Sequence, residues 1–249
     1  MEIKIAIAQI KSFRNNTKRN IQKHIEFIEL ASKHHSDIIL FPEMSLTGYE
    51  TKNAHKLVFE INDSRLDILK VLSEKYNQII VTGAPLKIDE KQYIGSFIIF
   101  PNQDVEIYIK KYLHEGEELY FNSHNDFDYK INLKGEKISC AICYDIEKDK
   151  HIEDAVLSNS TLYMPSIFYS KAGINSGLQR LSYISRSFSI PVMMSNYSGK
   201  CFGIQSGGNS SAWNKDGKII ITANDKDECL LLLTKQQEEW SGELVSFYI

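Results

Sequence analysis

Cysteine is scarce in this chain: four occur among 249 residues, at positions 140, 143, 201 and 229. So few in a chain of this size do not make a disulfide framework. A reduced, cytoplasmic protein is therefore expected, in which each thiol either packs or reacts. No apolar run approaches the roughly 18–20 residues that a membrane-spanning helix needs. The start, Glu2–Gln9, sets charges among its apolar residues, whereas a secretory leader needs an uninterrupted apolar region. Lys and Arg occur singly or in pairs and the net charge is −3, which argues against nucleic acid as a partner. No Pro/Gly/Ser-rich linker and no fixed-period repeat divide the chain, so one domain over 1–249 is expected. A Walker-type loop, a G-x-S-x-G elbow and a zinc-spaced histidine pair are all lacking.

What remains is ordinary globular composition, 43% hydrophobic and 24% charged, with clear patterning. Glu2–Gln9 alternates like a strand. Ile21, Ile25, Ile28 and Ala31 recur at helical spacing over about 16–33, with Thr17 as the expected cap. Asp37–Phe41 reads as a short buried strand stopped by Pro42. A second helix is expected after Ser64, with Leu66, Leu69, Leu72 and Tyr76 on one face. Strands are expected over 78–82, 93–100, 105–110, 129–133 and 137–143. The second half repeats the alternation: helix 149–157, strand 161–164, helix 177–189 and strand 191–195. A hairpin over 211–223 turns at Lys215-Asp216-Gly217, and 228–234 is the last apolar strand. Strands interleaved with amphipathic helices predict a layered α/β fold with mixed sheets.

Polar residues stand where three strands stop. They are Glu43 after Ile38–Phe41, Lys110 and Lys111 after Val105, and Cys143 after Lys137. Strand ends open into crevices on a rigid scaffold, which is where α/β proteins place reacting groups. A carboxylate, an ammonium and a thiol together suit acyl transfer. The carboxylate takes the thiol proton, and the ammonium favours thiolate and oxyanion. Singly, each has a plain reading as a turn residue, a surface cation and a small core residue.

The pair Cys140 and Cys143 also has the C-x-x-C form of redox and zinc sites. A redox pair sits where a helix begins, whereas both cysteines here are expected inside one strand, on opposite faces. Zinc needs two further ligands at compatible spacing, and Cys201 and Cys229 are isolated. A Cys-His pair would have to draw on His114 or His124, neither in a known signature. Cys140 is read as a packing residue.

Three segments in order resemble the carbon–nitrogen hydrolase (nitrilase) superfamily, whose members carry a Glu-Lys-Cys triad. "FPEMSLTGY" is similar to the Glu segment, "YIKKYLHEGEELYF" to the Lys segment and "ISCAICYD" to the Cys segment. "IAIAQI", "VMMSNYSG" and "SGGNSSAWNKDGKII" extend the resemblance over nearly the whole chain. It implies Glu43, Lys110 and Cys143 as catalytic residues, with Lys111 a neighbour of the lysine. It also implies Glu117, ahead of Glu118, as an accessory carboxylate. The fold it implies is a four-layer α-β-β-α sandwich that commonly pairs into dimers through helices, acting without metal or organic cofactor. One departure is plain. Many members follow Cys-Tyr-Asp with Arg-Phe-Pro-Glu, and here the residues are Ile146-Glu147-Lys148-Asp149, so no substrate carries over from the better-known branches.

The expected chemistry is hydrolysis of a small amide through a cysteine thioester. Glu43 shuttles the proton, while Lys110 and the backbone N–H of Tyr144 hold the oxyanion. Asp145 is read as structural, and Tyr49, Tyr112, Tyr120, Phe121 and Phe168 lie near the motifs. A nitrile or N-carbamoyl substrate on the same triad is the alternative, and a non-catalytic small-molecule or partner-binding protein is the competing class.

Overall fold

Alternation along the first strand, β1 (Ile3–Gln9), sets the order of the layers. Ile3, Ile5 and Ile7 enter one apolar core, while Ala6 and Ala8 enter another. A strand buried on both faces lies between two layers, as the period of two requires. The computed structural model describes residues 2–247. Met1, Tyr248 and Ile249, the ends of the expected 1–249 domain, lie outside the described residues.

From β1 the chain runs through α1 (Thr17–Lys33), β2 (Ile38–Leu40), α2 (Asp67–Tyr76), β3 (Ile79–Ile88), β4 (Lys91–Ile99) and β5 (Glu106–Ile109). It continues through β6 (Lys130–Leu133), β7 (Glu136–Ile142), α3 (Asp149–Leu157), β8 (Leu162–Ser166), α4 (Ile174–Phe188) and β9 (Val192–Met194). The short ribbon β10 (Lys200–Cys201) and β11 (Ile204–Gln205) precedes β12 (Ser211–Trp213), β13 (Ile219–Thr222), β14 (Cys229–Gln236) and β15 (Glu239–Ser246). One sheet has seven strands in the order β15-β14-β1-β2-β3-β4-β5, the other six in the order β13-β12-β9-β8-β7-β6. Each is built on three parallel strands, β1-β2-β3 and β7-β8-β9, flanked by antiparallel ones.

The inward faces meet in one core, where Ile5, Leu40 and Val81 pack with Ile138, Cys140 and Met164. Phe27 and Ile28 of α1 and Leu69 and Leu72 of α2 cover the outer face of the seven-stranded sheet. Ile152 of α3 with Leu181 and Ile184 of α4 covers the other. The fold is thus the expected four-layer α-β-β-α sandwich with mixed sheets. Among the described residues no helix is long and apolar enough to cross a membrane.

Several local expectations change. Asn16, not Thr17, caps α1, its side-chain oxygen accepting from Arg19 N at 3.1 Å, and Thr17 is already helical. Leu66 lies in a 3₁₀ turn before α2 rather than in the helix. The strand expected over 78–82 runs on to Ile88, because β4 pairs with it from Ile80 to Ile88. Helix α4 begins at Ile174, so Gly177 lies within it. Strand β15 was not expected at all. Its Glu239, Ser241, Gly242 and Glu243 break any apolar alternation, and it exists as an edge through its ladder with β14.

Candidate active site

Glu43 enters the interior on a turn that directly follows β2. Phe41 N still donates to Val81 O at 2.9 Å, and Pro42 then ends the ladder. The turn lies against β3 where Gly83 sits, and a Cβ there would approach Met44 N to 2.7 Å. Only a glycine permits that contact. Leu46 O accepts from Asn20 Nδ2 at 3.1 Å, and Tyr197 OH donates to the Glu43 carbonyl. Ser166 Oγ donates to Phe41 O at 2.8 Å, joining the two sheets at this end.

Lys110 follows β5 and is fully buried between two carboxylates. Its Nζ lies 2.8 Å from Glu43 Oε1, and 2.9 and 2.8 Å from the two oxygens of Glu117. Glu117 is fixed further by Tyr49 OH at 2.8 Å and by His114 N at 2.8 Å. Glu118 is exposed. The structure therefore brings Glu117 to the lysine and leaves Glu118 in solvent.

Cys143 does not lie inside β7, as expected, but just past its end, at the start of a short 3₁₀ turn. Its backbone φ is +42°, in the left-handed region that a side chain enters at a cost of about 1–3 kcal/mol. That bend, not strand alternation, separates it from Cys140, which is buried in the core between the sheets. Cys143 keeps part of its surface accessible, and its Sγ lies 4.0 Å from Phe168 O. Tyr144 is the second residue of the 3₁₀ turn, so its N–H has no acceptor within the turn.

Asp145 explains how the bend is held. It is fully buried and accepts from Ile142 N at 2.9 Å, Lys111 N at 3.0 Å and Tyr112 N at 2.9 Å. One carboxylate thus ties the cysteine turn to the lysine segment. Tyr108 OH donates to Asp145 at 2.6 Å. The imidazole of His151 must then donate from Nε2 to Tyr108 at 2.7 Å, while Tyr163 OH donates to Nδ1 at 2.8 Å. Burial lowers the pKa of His151 and keeps it neutral. Nothing in the sequence signalled His151 of α3, whose partners come from two strands, β5 and β8. Tyr197 lies in the segment "VMMSNYSG", but its bond to Glu43 is a tertiary fact.

The electrostatics follow from one ammonium shared by two carboxyls. Burial pushes the Glu43 carboxyl up to about 7; Lys110 opposes the shift and the charge of Glu117 adds to it. Glu43 Oε2 has no hydrogen-bond partner among the described residues, and the carboxyl lies near enough for its charge to act on Cys143. Burial raises the Cys143 thiol well above its usual range, as does the charge of Glu43, against the pull of Lys110. Lys110 is raised by the two carboxylates despite its burial and stays charged. The resting site therefore holds a thiol beside a carboxyl of near-neutral pKa, which is the arrangement a proton shuttle needs. Of the expected lining aromatics, Tyr49 and Phe168 meet as tilted rings with centroids 4.9 Å apart beside the site, whereas Phe121 is core.

Comparison with known proteins agrees with the fold. The chain is 31% identical over 150 residues to a 2-oxoglutaramate amidase of Bacillus subtilis, covering 59% of this chain and 57% of that protein. It is 24% identical over 230 residues to a glutamine-dependent NAD+ synthetase of Acinetobacter baylyi, covering 88% of this chain and 42% of the relative. The matches thus span about half the length of these curated relatives. An amidase from Nesterenkonia sp. AN1, solved with butyramide, superposes with a TM-score of 0.85 at 17% identity, covering 94% of this chain and 90% of that one. A family model described as carbon–nitrogen hydrolase matches residues 4–241. The chain belongs to the carbon–nitrogen hydrolase family.

Proposed function

We propose that this protein is an amidase, cleaving a small amide to acid and ammonia through a thioester on Cys143. The observation that carries the reading is the junction at Lys110, whose Nζ lies 2.8 Å from both Glu43 and Glu117 beside the partly accessible Cys143. Glu43 takes the thiol proton as sulfur attacks the carbonyl carbon. Lys110 and the Tyr144 N–H stabilise the oxyanion, and Glu43 returns the proton to the departing nitrogen. A water then gives its proton to Glu43 and attacks the thioester. The expelled thiolate recovers that proton as the acid leaves. Glu117 holds Lys110 in line. The names of the relatives, amidases and glutamine-dependent synthetases, support an amide as the bond cleaved.

The test is ammonia release from a panel of aliphatic amides, dicarboxylic monoamides, N-carbamoyl compounds and nitriles. It is paired with alkylation of the four cysteines. Release from amides is expected, together with a Cys143 that alkylates fastest and slows in Lys110→Ala. Release from nitriles alone would replace amide with nitrile. No release, with labelling insensitive to Lys110, would leave a binding protein. The homodimer implied by the family resemblance belongs to this proposal too. Leu157 of α3 is 76% exposed and Tyr183 of α4 43% exposed, an apolar outer face for helices to share.

A pH profile follows from the raised Glu43. The base must be ionised to accept the thiol proton, so kcat/KM should rise with pH through about 7. Below that midpoint it should fall about tenfold per pH unit. A profile already flat from pH 5 would remove Glu43 as the base.

A further inference from the structure

Resting on the amidase reading, we propose that Tyr169 and Glu147 form an acidic wall beside Cys143. This wall selects acyl chains that are neutral or carry an ammonium and rejects those that carry a carboxylate. Tyr169 follows Phe168, whose carbonyl lies against Cys143 Sγ, and both Tyr169 and Cys143 pack on the same apolar cluster. Its backbone is pinned from two sides, with Tyr169 N donating to Asn196 Oδ1 at 2.9 Å and Gly207 N to Tyr169 O at 2.9 Å. The ring occupies a notch in α4. A Cβ on Gly177 would come within 2.2 Å of Tyr169 Cε2, which explains a glycine inside a helix that costs about 1 kcal/mol against alanine.

From that seat Tyr169 OH donates to Glu147 Oε1 at 3.2 Å. Glu147 makes no ion pair among the described residues, and two of the neighbouring cations, Arg180 and Lys111, pair with other carboxylates. Arg180 binds Ile146 O and Asp149 Oδ1 at 2.7 Å each, Lys111 binds Asp128 at 2.6 Å, and Lys148 lies over the Tyr144 ring at 5.0 Å. A carboxylate held by Tyr169 and by no ion pair among the described residues thus stands four residues beyond the nucleophile. A second carboxylate brought in on a substrate meets repulsion, and an ammonium meets a partner. This sets the chain apart in substrate class from the 2-oxoglutaramate amidase it resembles.

The charge of the wall is read first without any substrate, by alkylating Cys143 with neutral iodoacetamide and anionic iodoacetate. The iodoacetamide:iodoacetate rate ratio at Cys143 should exceed that of free cysteine by about tenfold. Glu147→Gln should bring it down close to the free value, and Glu147→Asp should retain most of it. Gly177→Ala, by pushing the Tyr169 ring aside, should also lower it. The second reading is the kcat/KM ratio for a neutral aliphatic amide over a dicarboxylic monoamide of equal length. It should exceed one and fall about tenfold in Glu147→Gln. A ratio at Cys143 equal to that of free cysteine, or one unmoved in Glu147→Gln, overturns the wall. Selective alkylation with no amide turned over leaves the wall and overturns the amidase.

Discussion

Cys143→Ala should lower ammonia release by about 10⁴-fold or more, because no other group near the site can form the acyl intermediate. Cys140, Cys201 and Cys229 are all at most 2% exposed, and burial pushes Cys140 and Cys229 up to about 12. None is placed to substitute. The change removes only a sulfur from a side chain that is already partly accessible, and alanine accepts the left-handed φ no worse than cysteine does. Stability should therefore stay within about 1 kcal/mol of wild type. Steady-state turnover and thermal unfolding of the same preparation check both halves. Retention of a tenth of the activity in a folded variant would exclude Cys143 as the nucleophile.

Lys110→Met should be nearly as damaging to activity and much worse for stability. Removing one preformed oxyanion donor costs about 10²–10³ in kcat, and loss of the charge also weakens the hold on Glu43. In the folded state the variant leaves Glu43 and Glu117 buried and facing each other with no cation between them. Breaking a buried ion pair in this way costs about 3–5 kcal/mol. The sign with pH follows from linkage. Glu43, raised by burial above the 4.5 of a free glutamate, loses the opposing pull of Lys110 and titrates higher still in the folded variant, so the folded state binds more protons between those values. The deficit against wild type should be largest at pH 8 and shrink as the pH falls toward 5. Denaturant unfolding at both pH values measures it; equal deficits would mean that the carboxylates do not depend on the lysine.

The elements legible in the sequence are those with a local cause. Strand β1 and helices α2 and α3 follow from periodicity, because apolar side chains at spacings of two or three to four must share a face. Glu43, Lys110 and Cys143 stand out because polar residues end apolar runs, and the likeness to known segments selects Lys110 over Lys111. Strand β15 was not legible, since its reason to be extended is the ladder offered by β14. The start of α4 was missed because Gly177 reads as a boundary, while its cause, the Tyr169 ring, comes from a loop before the helix. The bend at Cys143 was missed for a similar reason. Three of the four groups bonded to Asp145 lie on the lysine segment, more than thirty residues earlier in the chain.

The sequence by itself determined the residue types of the site, their order and the alternation that buries them between layers. Local periodicity and strand ends encode these directly. The tertiary structure alone decided which carboxylate meets Lys110, that Cys143 lies beyond its strand in a left-handed bend, and that Tyr169 reaches Glu147. Each of these depends on groups far apart in the chain being held a few ångströms apart. No spacing along one strand or helix carries that information.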